Sequence, residues 1–323
     1  MKTKSTIIKS VLAFAFAAFI ITGCKKNDAP SPTAAPFVQP APNGSSSQQT
    51  QKVNDQNTFD NESNHAMDDA TNAMQNCSKT RSVEAVCNMT VDTSLASQGK
   101  ITLNYTGNDC LNLTSRTGSI VIQLPYNGTT VTTWTTMGAK AILTFNNYKV
   151  TRLSDNKSMT FNGFHSIKNV TGGGLIQLAL GTTIVHQIRA NMVVTFDDGT
   201  TRTWLVAKTR TFTNTNALGL VKNIIAGDTT FGSYVHAAVW GTNRLGQPFT
   251  VDMPTAFSYN MTGSTCLYRP LTGVIINYTT LYTFTITYGV DVNGAPVTFG
   301  CPFGYKFSWV DNNGTNQQVV LPY

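Results

Sequence analysis

Glutamate, and charge in general, are scarce in this chain, and their scarcity limits the chemistry that it can carry. Only 12% of the 323 residues are charged, against about a quarter in an ordinary soluble domain. Glutamate occurs only at Glu62 and Glu84, both upstream of the strand-rich region. A glycoside hydrolase needs two facing carboxylates, which only aspartates could supply, and several aspartates stand in turn sequences that favour them for local reasons. An aspartate-based hydrolase is therefore the weakest functional hypothesis, and we predict that the chain is not an enzyme.

Motifs of catalysis, cofactor binding and metal binding are also missing. The sequence has no serine elbow of the G-x-S-x-G kind, no H-E-x-x-H, no phosphate-cradling loop and no dinucleotide fingerprint. It has no C-x-x-C pair, and its 4 histidines stand far apart, which argues against a zinc site. We therefore predict no cofactor and no metal.

Positive charge exceeds negative charge, but not at the density of a nucleic-acid-binding protein. The formal net charge is +7, and residues 1–23 contribute three lysines and no acid, so removing them leaves +4. Residues 85–323 hold fifteen basic and nine acidic residues. This excess indicates a soluble, mildly anion-seeking domain, and we predict no nucleic-acid partner.

The N-terminus has the layout of a secretory signal that ends at a cysteine. A start with three lysines precedes an apolar run from Val11 to Ile21, and Thr22, Gly23 and Cys24 follow. This ending resembles the lipobox of bacterial lipoproteins, which implies that residues 1–23 are removed and that Cys24 carries fatty acyl chains such as palmitate. Each buried methylene contributes about 0.8 kcal/mol to such an anchor. The alternatives are an ordinary secretory signal or a membrane span, for which the run is short.

Beyond the signal the composition changes twice. Residues 24–57 are rich in proline, serine and glutamine. They are predicted to be a disordered tether, because such a segment buries too little apolar surface to offset its ordering entropy. Residues 58–82 are predicted to contain a short helix, with Asp60 as its cap, that rests on the β domain. The apolar positions that share one helical face are Met67, Ala70, Met74 and Cys77.

Residues 83–323 are predicted to form an all-β domain. Runs such as Ile101–Tyr105 and Met192–Phe196 alternate apolar and polar side chains, which is the period of a half-buried strand. Asn-Gly and Asp-Gly turns recur between such runs and favour hairpins. We therefore expect an antiparallel β-sandwich-like fold. A faint internal similarity leaves two β modules as an alternative, with a boundary near residues 220–265.

Five cysteines follow Cys24, and outside the cytoplasm they can oxidise. Cys87 and Cys110 flank one predicted strand segment. Cys266 and Cys301 flank another. This arrangement favours two disulfides and leaves Cys77 unpaired, although the sequence alone does not fix the connectivity.

A hairpin around Asp198-Gly199 carries the candidate ligand site. If these residues form a two-residue turn, Val193 faces Trp204 and Arg189 faces Lys208. The outer face of the hairpin then presents basic side chains beside an indole, which suits a uronate, a sulfate or a lipid phosphate. The alternative is a solvated strand face with the indole under a loop. The predicted ligand-binding residues are Arg189, Arg202, Trp204, Lys208 and Arg210.

Several stretches within residues 85–321 combine strand alternation with particular turns. They are Thr102–Cys110, Gly118–Ile122, Leu143–Val150, Thr195–Thr200 and Gly241–Gly246. Together they resemble a family of uncharacterised Bacteroidetes outer-membrane lipoproteins. The resemblance implies a β-rich fold, and it implies no activity. It also matches the positions where the family has cysteines, which are Cys87, Cys110, Cys266 and Cys301.

The resemblance also bears on location and on function. In that phylum, acidic residues directly after the lipidated cysteine mark export to the outer leaflet, and Lys25-Lys26-Asn27-Asp28 is a partial match. We therefore expect an outer-membrane lipoprotein at the cell surface rather than at the periplasmic face. We predict a non-enzymatic binding or structural module for an acidic glycan or a neighbouring surface protein. The alternative is an accessory subunit of an outer-membrane assembly or transport complex.

Overall fold

Fifteen strands and one long helix make up most of the structure, a computed structural model that describes residues 45–76, 88–109, 112–178, 180–214, 221–260, 266, 269–280, 282–311 and 313–323. The helix α1 spans Ser45–Asn76, and two short helical turns occupy Ala96–Gln98 and Leu175–Leu178. The strands of the first half are β1 (Met89–Asp92), β2 (Lys100–Asn108), β3 (Thr114–Gln123), β4 (Lys140–Arg152), β5 (Ser158–Asn169), β6 (Ile184–Phe196) and β7 (Thr201–Asn214).

The second half continues the same sheet. Its strands are β8 (Val221–Gly227), β9 (Thr229–Phe231), β10 (Tyr234–Thr242), β11 (Pro248–Asn260), β12 (Pro270–Thr279), β13 (Thr283–Val290), β14 (Gly304–Val310) and β15 (Asn316–Pro322). Neighbours in sequence are mostly neighbours in the sheet, and the pairs are antiparallel. The all-β, antiparallel fold expected from the alternation and the turns is therefore confirmed.

The sheet crosses the region where a boundary between two modules was considered. Both β8 and β10 pair with β7 on one side and with β11 on the other. β8 pairs with one part of β7 and β11, and β10 pairs with another part of the same two strands. The short strand β9 pairs with β10. Because hydrogen bonding is continuous from β7 to β11, the described residues form one sheet rather than two modules.

Alternate strand positions point toward α1 and form the core. In β4, for example, Ala141, Leu143 and Phe145 are buried while Ile142 and Thr144 are exposed. The helix adds Phe59 and its alanines and methionines to the same cluster. The sheet therefore buries its inner face against a helix, which is how a single sheet hides an apolar surface.

Helix α1 is 32 residues long, and it starts within the predicted tether. The prediction placed the tether over residues 24–57 and the helix over 58–82, so the part from Ser45 to residue 57 is a correction. The physical reason is that Asp55 and Gln56, 5% and 0% exposed, are held by polar contacts with the sheet. A rule that counts only apolar surface does not detect such a segment. Residues 24–44 and 77–82 lie outside the described residues.

A disulfide links the loop before β12 to the loop before β14. Cys266 and Cys301 have a Cα–Cα distance of 5.2 Å, within the usual range for a disulfide, and this predicted pair is confirmed. Cys24, Cys77, Cys87 and Cys110 lie outside the described residues. No helix in the part of the chain that the structure describes is long and apolar enough to cross a membrane.

Candidate functional site

The β6–β7 hairpin has a different register from the predicted one. Thr195 pairs with Thr201, and Val194 pairs with Arg202. The loop therefore contains one residue more than a two-residue turn, closed by a hydrogen bond from the Phe196 amide to the Thr200 carbonyl. Gly199 has a φ of 79°, the left-handed conformation that ends a three-residue hairpin loop.

A one-residue change of register sends side chains to the opposite face of the sheet. Arg202, Trp204, Lys208 and Arg210 are 1%, 0%, 7% and 4% exposed and face the interior. Arg189 alone stays on the outer face, where its guanidinium lies 2.9 Å from the Asp228 carboxylate. The predicted basic ladder is therefore not a surface: the predicted register was wrong, and the other four side chains do not share an outer face with Arg189.

The inward basic side chains meet polar side chains of α1. Arg202 donates to the Gln56 amide oxygen over 3.1 Å, and the Lys208 ammonium lies 2.7 Å from Asp60. Arg210 donates to Asp68. Buried charges are tolerated when they are paired and hydrogen-bonded. These contacts fix the helix on the inner face of β7.

Two further ion pairs hold the same helix to other parts of the sheet. Arg244, after β10, makes two hydrogen bonds of 2.8 Å to Asp55, and Arg116 of β3 lies 3.0 Å from Glu62. Burial raises the pKa of Asp55, and the hydrogen bond and charge of Arg244 oppose that rise. The paired geometry is the arrangement in which a charged hydrogen bond is strongest.

Aromatic stacking fills the centre of the same interface. The ring of Phe59 stacks on Trp204 with centroids 3.7 Å apart, and the Arg202 guanidinium lies 3.5 Å from the Trp204 ring centroid. Burial lowers the pKa of Arg202 to about 9, while Asp55 and Asp60 oppose the fall. Arg202 therefore remains a cation at neutral pH. Its contacts with Trp204 and with α1 belong to the core and do not form a ligand site.

A cleft of about 360 Å³ opens between α1 and the C-terminal strands. We name it the tyrosine cleft. Aromatic side chains from β11, β13, β14 and the C-terminus form one wall, and polar side chains of α1 form the other. The aromatic residues are Phe257, Tyr259, Tyr288, Tyr305 and Tyr323.

The aromatic wall is a continuous set of ring contacts. The Tyr288 ring lies 4.7 Å from Phe257 and 5.6 Å from Tyr305, measured between centroids. Tyr323 is held by its hydroxyl, which donates to the Pro270 carbonyl over 2.7 Å and accepts from the Gly289 amide over 2.9 Å. Burial raises the pKa of Tyr259, Tyr288 and Tyr323. These phenols therefore stay neutral at physiological pH.

Polar side chains give the cleft groups that can orient a ligand. Asn61 and Asn64 project from α1, and Arg152 and Arg269 lie at the rim. Arg152 is paired with Asp155, whereas no carboxylate among the described residues forms an ion pair with Arg269, which is exposed. Aromatic faces combined with a few amides and cations are the usual composition of a small-ligand site.

Comparison of the chain with protein-family models, with curated proteins and with solved structures finds no match. The resemblance to Bacteroidetes lipoproteins therefore stays a prediction. In the described part of the chain, no three His, Cys, Asp or Glu side chains come together as they would around a metal ion.

The residues of the tyrosine cleft were not predicted as a site. Tyr288 and Tyr305 belong to strand segments whose alternation was recognised, but nothing in the pattern showed that their rings face the same helix. The available signal was the concentration of tyrosine in the last strands. Tyr288 of β13 and Tyr305 of β14 lie at strand positions of the kind that aliphatic side chains fill elsewhere in this sheet.

Proposed function

We propose that this protein is a non-enzymatic binding module that holds a saccharide in the tyrosine cleft. The observation that carries the proposal is the connected wall of tyrosine rings opposite Asn61 and Asn64. Aromatic rings offer apolar faces to the C–H surface of a sugar, and phenol and amide groups exchange hydrogen bonds with its hydroxyls. A volume of about 360 Å³ is within the range of small-ligand sites.

The positive charge at the rim of the cleft favours an acidic saccharide as the ligand. Arg269 is exposed beside the cleft. Asp60, the only acidic side chain among the described lining residues, is neutralised by Lys208 at 2.7 Å. A guanidinium pairs well with a carboxylate or a sulfate. The proposed binding site for an acidic glycan is therefore the rim of this cleft rather than the β6–β7 hairpin.

The proposed location follows from the sequence alone. The lysine-rich start, the apolar run and Cys24 support a lipid-anchored protein of the outer membrane, displayed at the cell surface. The anchor is consistent with a binding module, because attachment keeps a captured polymer at the membrane.

Retention of the mature, lipidated protein in detergent on immobilised polygalacturonate and on immobilised dextran tests the proposal. The variant Tyr305→Ala removes one ring of the wall, and we expect it to lower affinity by about 3- to 10-fold, which is the value of one aromatic contact. Tyr278→Ala is the matched control, because Tyr278 stacks on Tyr234 with centroids 4.4 Å apart and does not line the cleft. Equal retention of the two variants would contradict the proposal.

A second candidate function is favoured by exposed apolar side chains in the loop between β13 and β14. Phe299 is 93% exposed and Val292 is 63% exposed, and the disulfide ties the end of this loop to the loop before β12. Exposed apolar side chains mark protein contacts where they lie together. We propose an accessory role beside an outer-membrane protein as the alternative, tested by co-purification of wild type and Phe299→Ser from intact cells after mild crosslinking.

A further inference from the structure

A smaller pocket of about 80 Å³ adjoins the tyrosine cleft. We name it the inner pocket. It shares Asn61, Asn64 and Tyr259 with the cleft, so a ligand in the cleft can extend a group into it. Its remaining lining consists of His65, Asp68, Arg210, Asn223 and Ile225.

The strand registers explain why these side chains meet. Asn223 of β8 pairs with Tyr259 of β11, and Ile225 pairs with Arg210 of β7. Residues two apart on a strand share a face, so Asn223 and Ile225 point to the same side. The pocket is therefore built at the place where the short strand β8 is inserted between two long ones.

Two of the side chains that line this pocket, Asn223 and Arg210, each contain a buried polar atom that lacks a partner within the described residues. The two atoms are Oδ1 of Asn223, a hydrogen-bond acceptor, and Nε of Arg210, a donor. The two residues are 6% and 4% exposed. The Asp68 carboxylate accepts a hydrogen bond from Nη2 of Arg210, whereas Nε of the same guanidinium has no partner among the described residues. Buried polar atoms without a partner are uncommon in folded proteins.

The size and charge of the inner pocket limit what can supply the two missing hydrogen bonds. At about 80 Å³ the inner pocket is much smaller than the tyrosine cleft of about 360 Å³, so it suits a substituent of the ligand rather than the main body of the ligand. A carboxylate can accept from Arg210 but cannot donate to Asn223, and it would face Asp68. An ammonium can donate to Asn223 but cannot accept from Arg210 Nε–H, and Arg210 and Asp68 already neutralise each other as an ion pair. The fitting group is neutral and both donates and accepts.

We propose that the inner pocket is a subsite that reads a neutral substituent of the saccharide bound in the tyrosine cleft. A hydroxyl or an amide N–H of the ligand donates to Asn223 Oδ1, while a neighbouring hydroxyl or carbonyl oxygen accepts from Arg210 Nε–H. A vicinal hydroxyl pair and an acetamido group share this chemistry. The inference rests on the proposed saccharide function, and it adds that the ligand has a neutral donor–acceptor group beside any acidic group at Arg269.

Small fragments test the subsite without requiring the whole ligand. The mature, lipidated protein is labelled with ¹⁵N-arginine, and the Arg210 Nε–H signal is followed during titration with ethane-1,2-diol, with N-methylacetamide and with acetate. We expect a saturable shift with at least one of the two neutral fragments and none with acetate. Which neutral fragment binds distinguishes a hydroxyl pair from an acetamido group. No shift with either fragment would mean that the pocket holds water only, and would overturn the proposal.

Substitution of Asn223 gives the second readout. Asn223→Leu removes the acceptor at nearly constant volume, and we expect it to weaken fragment binding by about 5- to 10-fold, the value of one hydrogen bond. Asn277→Leu is the matched control, because Asn277 is 0% exposed, has unpartnered amide atoms in the described structure, and lines neither cavity. Urea unfolding of both variants checks that they are folded. Equal fragment affinity in the two variants would contradict the assignment to Asn223.

The two proposals fail in different ways. If Tyr305→Ala and Tyr278→Ala retain polysaccharide equally while the fragments still shift Arg210, the saccharide function is wrong and the inner pocket remains a site for neutral donor–acceptor groups. If Tyr305→Ala weakens retention while the fragments do not bind, the cleft stands and the subsite is wrong.

Discussion

At the scale of single residues, polar side chains are buried in the interior of this protein, and one of them contributes to its pH response. His165 of β5 is 1% exposed, and both of its ring nitrogens lack a partner among the described residues. Burial, and then the charge of Lys208, lower the pKa of His165 to about 3. The imidazole is therefore neutral in the folded state. At acid pH a protonated His165 has to lose its proton when the chain folds.

Acid is expected to destabilise the fold through this histidine. Its folded pKa is lower than the unfolded value of about 6.5, so between these two values the unfolded state binds more protons. The free energy of unfolding then falls as pH drops below about 6.5, by about 2 kcal/mol at pH 5. We expect His165→Leu to abolish that part of the loss, measured as urea midpoints at pH 8 and pH 5, with the exposed His236→Gln as control. The same slope in His165→Leu and wild type would contradict the assignment.

Gly118 provides a second test at the residue scale. It has a φ of 90°, and a Cβ there would lie 2.1 Å from the Asn147 carbonyl oxygen of the neighbouring strand. Gly199 has a similar φ of 79° with nothing within 4 Å. We therefore expect Gly199→Ala to cost about 1–2 kcal/mol from backbone strain alone, and Gly118→Ala to cost clearly more. Thermal unfolding of both variants measures the difference, and equal losses would show that the close approach at β4 is relieved by a small shift.

At the scale of elements, α1 is held by ion pairs that differ in burial from those on the surface. Asp55 and Arg244 have side chains 7% and 13% exposed, whereas Arg152 and Asp155 are 48% and 39% exposed. Removing one partner of a buried pair leaves an uncompensated charge. An exposed pair contributes little, because water replaces the lost partner.

We expect Asp55→Ala to lower the free energy of unfolding by about 3 kcal/mol, and Asp155→Ala by at most about 1 kcal/mol. Urea unfolding followed by tryptophan fluorescence measures both, because Trp204 stacks on Phe59 of α1 with centroids 3.7 Å apart. The double variant Asp55→Leu with Arg244→Leu should recover part of the loss. A loss as small for Asp55→Ala as for Asp155→Ala would mean that the start of α1 is not anchored by this pair.

The elements were predictable where a local pattern decides them. Alternation and turn residues gave the strands, and the flanking positions of Cys266 and Cys301 gave their disulfide. The β6–β7 register was not predictable, because Asp197-Asp198-Gly199 allows a two-residue or a three-residue loop, and that one residue decides the face on which Trp204 lies. The start of α1 was predicted incorrectly for a related reason. Asp55 and Gln56 are polar, and only their partners elsewhere in the chain show that they are buried.

At the scale of the whole molecule, α1 and the sheet depend on each other. The inner face of the sheet carries Arg202, Lys208 and Arg210, each bonded to a side chain of the helix. A sheet without the helix would bury or expose these charges without partners, together with the apolar face around them. The sheet is therefore expected to need residues 45–76 in order to fold.

Separate production of residues 45–323 and of residues 83–323 tests this dependence. We expect residues 45–323 to give cooperative thermal unfolding and a monomer on gel filtration. We expect residues 83–323 to aggregate or to lose the near-ultraviolet circular dichroism that a fixed core produces. Adding a synthetic peptide of residues 45–76 should restore part of that signal. Cooperative unfolding of residues 83–323 at an unchanged temperature would show that the helix is only a passenger.

One wall of the cleft, formed by Asn61 and Asn64, belongs to α1, which is the described element nearest in sequence to Cys24. If Cys24 carries the acyl chains, Cys24→Ser should leave cleft binding unchanged while moving the protein from the membrane fraction to the soluble fraction. Metabolic labelling with an alkyne analogue of palmitate, together with fractionation of intact cells, measures both properties. Labelling that persists in Cys24→Ser would contradict the anchor. Loss of polysaccharide retention in that variant, measured on solubilised protein, would instead show that the cleft depends on the attached lipid.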